Sequence, residues 1–267
     1  MQGTIQLMGP QGFHVHIPQL ISILNNINQH SQDYYYYMTP CPWLQVKILR
    51  ILLFFPAPEE PRLLEQINNI CQKIIGKVEV SKHVNKNNAD HGILFQALKL
   101  IIHYREKATE TNRKDTVSLL TKFISVKEPN IRCLAFDTIA QLSSFHLSNE
   151  KKLISDQIDV FLNGLKDRDV SIRKRALDTL FAVCCDSNMA AEIVNELLDY
   201  LQEGDSVSGS VDLKEEIVLK VAILAEKFAE NLSWYIDVII KLIEYAGDYV
   251  NEDLWFRVAQ MITGFGQ

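Results

Sequence analysis

The 267-residue sequence predicts an all-α solenoid, a superhelix of about six stacked helix pairs. Three observations predict it. Apolar residues recur in one register every 41 residues, helix punctuation falls at the edges of each unit, and no run of alternating β-branched residues stands between turn signals.

The register is clearest from Ile131, from which steps of 41 residues lead to Ile172, Leu213 and Leu254. Four residues after each stand Ala135, Ala176, Ile217 and Val258; eight after, Ile139, Leu180, Val221 and Ile262; eleven after, Leu142, Val183, Leu224 and Phe265. All sixteen are apolar, and spacings of 4, 4 and 3 fall on one helix face. The first two units also share Ile-Arg (131–132, 172–173), an alanine (135, 176) and Asp-Thr (137–138, 178–179).

Taken from the N-terminus, residues 1–12 read as an irregular or cloning-derived start. Leu44, Ile48, Leu52 and Phe55 form the first repeat helix. A polar stretch, 76–88, reads as an extended loop, and Asp90, Leu94, Leu98 and Ile101 follow with three of four positions apolar. Each repeat helix is preceded by a second amphipathic segment: Val117/Leu120/Ile124, Ile158/Leu162/Leu165, Val194/Leu197/Leu198/Leu201 and Ile236/Ile239/Ile240/Ile243. Pro129 suits a first helical turn, Asp212 and Glu215 have capping-box spacing, and 203–212 is a Gly/Ser-rich turn. Two helices per unit of about 41 residues define the HEAT/armadillo type of α-solenoid. DRDVSIRKRALDTL (167–180) resembles the HEAT consensus. One helix pair cannot bury its apolar face alone, so the whole of 1–267 is expected to be a single stacked segment. The last helix ends at ITGFGQ without a polar capping unit, so a longer solenoid is expected.

Composition closes off other classes. Gly and Pro together number 19, about 7% against ~12% in average proteins, which excludes collagen-like and linker chains. With 47% hydrophobic and 22% charged residues the chain can bury a core. A net charge of −6 opposes a general nucleic-acid binder, and no nucleic acid is expected as a partner. The most apolar stretch, Ile48 to Phe55, is too short for a membrane span and contains Arg50. MQGTIQLMGPQGF lacks a basic n-region leading into an apolar core, so no signal peptide is expected. Five cysteines without a CxxC pair suit reduced thiols.

Catalytic motifs are weak. Gly264-Phe265-Gly266 has no strand before it, and Gly76-Lys77 lacks the upstream glycine of a phosphate loop. Glu59-Glu60 and Glu215-Glu216 are adjacent, so their carboxylates diverge instead of converging on a cleft. Cys184-Cys185 reads as small core hydrophobes on a repeat helix. No catalytic residue, metal site or cofactor is assigned. Two basic features remain. Lys73, Lys77, Lys82 and Lys86 cluster about the 76–88 loop and could touch an acidic partner or anionic lipid. Arg132, Arg173 and Lys214 recur at the 41-residue step and read as a structural ladder between units.

Residues 34–63, YYYYMTPCPWLQVKILRILLFFPAPEEPRL, resemble the trunk of the large adaptins, where an aromatic run precedes Pro-x-Pro-Trp-Leu-x-Val-Lys. Segments 127–144, 167–202 and above all 214–262 are similar to successive adaptin repeats. Pro42-Trp43-Leu44 and Pro56-Ala57-Pro58-Glu59 favour the alpha type of the plasma-membrane clathrin adaptor. Ser208-Gly209-Ser210 and Cys184-Cys185 depart from it, which leaves a divergent alpha or an alpha/gamma intermediate open. The resemblance implies a non-enzymatic mid-trunk scaffold that works with a beta adaptin, a medium chain and a small chain on the cytosolic face of the plasma membrane in clathrin-mediated endocytosis. The family's phosphoinositide patch precedes this part of the trunk, and its clathrin- and accessory-binding hinge and ear follow it, so none of those residues is carried over. A gamma-type adaptin of the trans-Golgi network, a coatomer subunit or another HEAT transport carrier is the alternative.

Overall fold

The computed structural model describes residues 2–30, 34–77, 83–143, 154–203 and 211–264. They form an all-α protein of the HEAT/armadillo type. Two compact units divide the chain, residues 1–119 and 120–267.

The first unit contains α1 (Gln2–Met8), α2 (Ile17–Gln29), α3 (Pro42–Leu52), α4 (Pro61–Gly76) and α5 (Val84–Tyr104). Helices α3 and α5 pack side by side, as do α2 and α4, which makes two layers; α4 also lies on α5 and α2 on α3. Proline opens α3 and α4 at a position where no backbone N–H is needed. A two-residue hairpin, β1 (Tyr35–Tyr36) and β2 (Thr39–Pro40), precedes α3, where sequence pattern gave no strand. Its tip residues Tyr37 and Met38, and Cys41 after it, all have left-handed φ of 45°, 70° and 39°. A type I′ tip favours Asn-Gly, and left-handed backbone costs a residue with a Cβ about 1–2 kcal/mol.

Helix α6 (Glu110–Ile124) follows. The second unit holds α7 (Pro129–Ser143), α8 (Ile158–Gly164), α9 (Val170–Val183), α10 (Ser187–Gln202), α11 (Val211–Phe228), α12 (Leu232–Ala246) and α13 (Glu252–Gly264). One layer runs α7, α9, α11, α13 and the other contains α10 beside α12, with α8 against α9. Asp169, Asp186 and Asn231 cap α9, α10 and α12 by accepting from backbone N–H groups in the first turn. Every position of the 41-residue register whose side chain is described between 131 and 258 is buried; Ile262 and Phe265 lie outside that description.

Several expectations need correction. Residues Gln2–Met8 are helical, not irregular, because Ile5 is buried and α1 packs on α3; Gly9, at φ 81°, then ends the helix where its N–H donates to the Ile5 carbonyl. The 76–88 loop is shorter than expected, since α5 already begins at Val84; residues 78–82, with Lys82, lie outside the described residues. Leu44 is 46% exposed and Gln45 takes the inward place, because its amide is bonded to the hairpin. On α12 the buried stripe is Tyr235, Val238, Ile239, Leu242 and Ala246, which turns Ile240 outward. Asp212 sits inside the first turn of α11, 3.9 Å from Lys174, while 204–210 lie outside the described residues.

Candidate functional site

In the first unit the hairpin, α2, α4 and α5 enclose a groove of about 440 Å³. Two buried polar side chains, Thr39 and Gln45, belong to it, and each is satisfied within the protein. Gln45 Nε2 donates to the Pro40 carbonyl at 2.7 Å, and its Oε1 accepts from Asn28 Nδ2 at 3.2 Å. Thr39 Oγ1 donates to Asp90 Oδ1 at 2.6 Å, while Lys86 Nζ donates to Asp90 Oδ2 at 2.7 Å. Asp90 therefore ties the hairpin to α5 and offsets the charge of Lys86. The sequence places Lys86 and Asp90 four apart, as a helical ion pair requires, but gives no signal for Thr39, Asn28 or Gln45.

Of the lysine cluster, Lys77 and Lys86 line this groove; Lys73 does not. Lys73 is exposed in the last turn of α4, where unpaired carbonyls favour a cation. Lys82 lies outside the described residues. Among the described lysines of the cluster, Lys86 has its charge offset by Asp90.

The second unit ties its repeats together through charge. Arg132 donates to the Val126 carbonyl at 2.9 Å and reaches Asp167 Oδ2 at 3.2 Å. Arg173, only 1% exposed, donates through Nη1 to the Asp167 carbonyl at 2.9 Å. Asp167 Oδ1 also accepts the Asp169 backbone N–H at 2.9 Å, so one residue holds both arginines and shapes the turn that caps α9. Lys214 lies elsewhere, its Nζ 5.5 Å from the centre of the Tyr249 ring.

A second set of ties went unassigned in the sequence, although the repeated Asp-Thr pair marks it. Asp137 on α7 accepts from Arg175 on α9 at 3.1 Å, and Asp178 on α9 pairs with Lys220 on α11. Thr179, fully buried, donates back to the Phe136 carbonyl at 3.1 Å. The shared dipeptide is therefore an acceptor for the next repeat followed by a hydroxyl that satisfies the backbone.

Cys184 and Cys185 follow the end of α9 instead of riding on it. Burial pushes the Cys184 thiol up to about 12, and burial does the same to Cys71 on α4. A thiol so held is neutral at physiological pH and a poor nucleophile. Both thiols are expected to resist iodoacetamide at pH 8 in the folded protein and to react after unfolding in urea; mass spectrometry of the labelled sites checks this. Because the folded thiols stay neutral while unfolded ones ionise, their contribution to stability is full below the ordinary thiol range. It is lost as pH climbs past that range.

Over 250 residues the chain is 43% identical to AP-2 complex subunit alpha-1 of Arabidopsis thaliana, covering 92% of this chain and 24% of that protein. It is 43% identical over 260 residues to AP-2 complex subunit alpha-2 of Dictyostelium discoideum, covering 95% and 25%. Against AP-1 complex subunit gamma of Dictyostelium discoideum identity falls to 27% over 250 residues, covering 92% and 26%. The chain spans about a quarter of the length of these relatives. Residues 11–267 match the family described as Adaptin N terminal region, so the chain belongs to the adaptins, on their alpha-like side.

Proposed function

We propose that this chain is a mid-trunk segment of the large, alpha-adaptin-like subunit of a clathrin adaptor and acts as a non-enzymatic scaffold in clathrin-mediated endocytosis. The observation that carries the proposal is the difference in identity, 43% to AP-2 alpha subunits against 27% to an AP-1 gamma subunit over equal lengths. In this reading the parent assembles with a beta adaptin, a medium chain and a small chain on the cytosolic face of the plasma membrane. The register that extends from residue 90 to 262 supports one α-solenoid segment over 1–267, within a longer trunk. Arg132, Arg173 and Lys214 are read as stabilising ties between repeats, and Lys73, Lys77, Lys82 and Lys86 as a weak contact for an anionic partner or lipid. None of the described helices is long and apolar enough to cross a membrane.

Affinity purification of the tagged full-length parent from its own cells tests the proposal. Recovery of a beta, a medium and a small adaptin chain is expected; recovery of coatomer or nuclear-transport partners in their place overturns it. For the lysines, each basic residue near an anionic surface contributes about 1 kcal/mol, screened by salt. The chain is therefore expected to co-sediment with phosphatidylserine vesicles at low salt and to be released at physiological salt. Binding that survives high salt contradicts this assignment.

A further inference from the structure

Residues 34–58 contain no carboxylate, and their only formal charges are Lys47 and Arg50, in a chain whose net charge is −6. Its exposed side chains include aromatic and basic residues next to one another. Tyr36 of the hairpin sits 5.6 Å from the Trp43 ring and meets Tyr37 edge-on at 4.8 Å between centroids. Trp43 is 57% exposed, and Lys47 and Arg50 follow it by four and seven residues on the same exposed face of α3. Neither cation makes an ion pair or side-chain hydrogen bond among the described residues. The nearby carboxylate of Asp90 is already taken by Thr39 and Lys86.

The hairpin tip adds an independent argument. Tyr37 and Met38 occupy left-handed positions that glycine would fill without strain, and their side chains are 51% and 78% exposed. The fold bears the strain and recovers little burial for it, which is the pattern of side chains held for an outside contact. Tyrosine, tryptophan, methionine and arginine are also the residues enriched where proteins meet, and acids the ones depleted.

We propose that the Tyr35–Pro40 hairpin with the Trp43/Lys47/Arg50 face of α3 docks an acidic peptide segment of a partner protein, one carrying apolar or aromatic side chains. The rings supply stacking area and the two cations select negative charge. Self-pairing of the same face on a second copy would set like charges together, which disfavours that occupant. This assignment does not rest on the adaptor reading.

Panning a random dodecapeptide phage library on the 267-residue chain tests it. Enriched peptides are expected to be acidic with apolar or aromatic residues, and both Trp43→Ala and the pair Lys47→Gln/Arg50→Gln should lower their capture at least tenfold with an unchanged melting temperature. Met38→Gly guards against misfolding as the cause: it relieves strain, so the melting temperature should hold or rise while capture falls. Enrichment of basic or neutral peptides, no enrichment, or capture indifferent to all these variants overturns the proposal. So does flotation with phosphatidylserine vesicles, or self-association, that needs Trp43 while acidic peptides do not bind.

Discussion

Replacing Gly164 by alanine should destabilise the second unit, although the same change in an ordinary helix stabilises. Gly164 ends α8, and a Cβ added there would stand 2.6 Å from Phe136 Cζ and 2.8 Å from the Ala176 methyl. The helical preference of alanine over glycine is worth about 0.5–1 kcal/mol. Overpacking typically costs about 1–3 kcal/mol, and neither neighbour is the free end of a flexible chain. Overpacking wins, so urea denaturation should show a net loss of stability. Ala176→Leu enters the same contact from the opposite side and should cost a similar ~1–3 kcal/mol. Phe136→Leu combined with Gly164→Ala should recover part of the loss, as expected for coupled neighbours. A Gly164→Ala protein as stable as the parent would mean that α8 does not approach α7 and α9 this closely.

The second large effect is expected at Arg173. Its guanidinium is buried and donates to the Asp167 carbonyl, so Arg173→Ala removes a charged hydrogen bond and leaves a void beneath the 167–169 turn. Hydrogen bonds from charged groups contribute about 1.5–3 kcal/mol, and the lost stem packing adds to that. A loss of at least about 2 kcal/mol is expected, nearly independent of salt because the group is buried. Arg132 is partly exposed, and Arg132→Ala should cost less and respond to salt. Thermal melts at two ionic strengths separate the two. If Arg173→Ala melts within 0.5 kcal/mol of the parent, as an ordinary surface change does, the residue is not a structural tie.

Sequence period reveals what repeats and hides what does not. The register from Ile131 to Val258 was legible because one helix in each pair uses the same face against two neighbours, and burial then constrains every turn. On the partner helix α12 the expected Ile239 is buried, but Ile236, Ile240 and Ile243 give way to Tyr235, Val238 and Leu242, because the isoleucines offer two competing stripes and only packing selects between them. The hairpin at 35–40 was invisible because Tyr37-Met38 contradicts the usual turn chemistry. The groove of the first unit was half legible: Lys77 and Lys86 are close in sequence, whereas Asn28, Thr39 and Asp90 meet only through folding. For the arginines, recurrence identified the positions, but that Arg132 and Arg173 share Asp167 depends on a turn no spacing rule supplies.

The Asp-to-cation ties between α7, α9 and α11 have a mechanical consequence. Arg175 and Asp137 are partly exposed, and so is Asp178, whereas Gly164 faces buried Phe136 and Ala176 at a place that leaves no room for even a methyl group. Compression at the dry seam meets steep repulsion, while extension at the ionic edge meets a gentle restoring force that counterions weaken. Rising ionic strength is therefore expected to loosen the partly exposed ties between these helices before it affects the dry contact of α8 with α7 and α9.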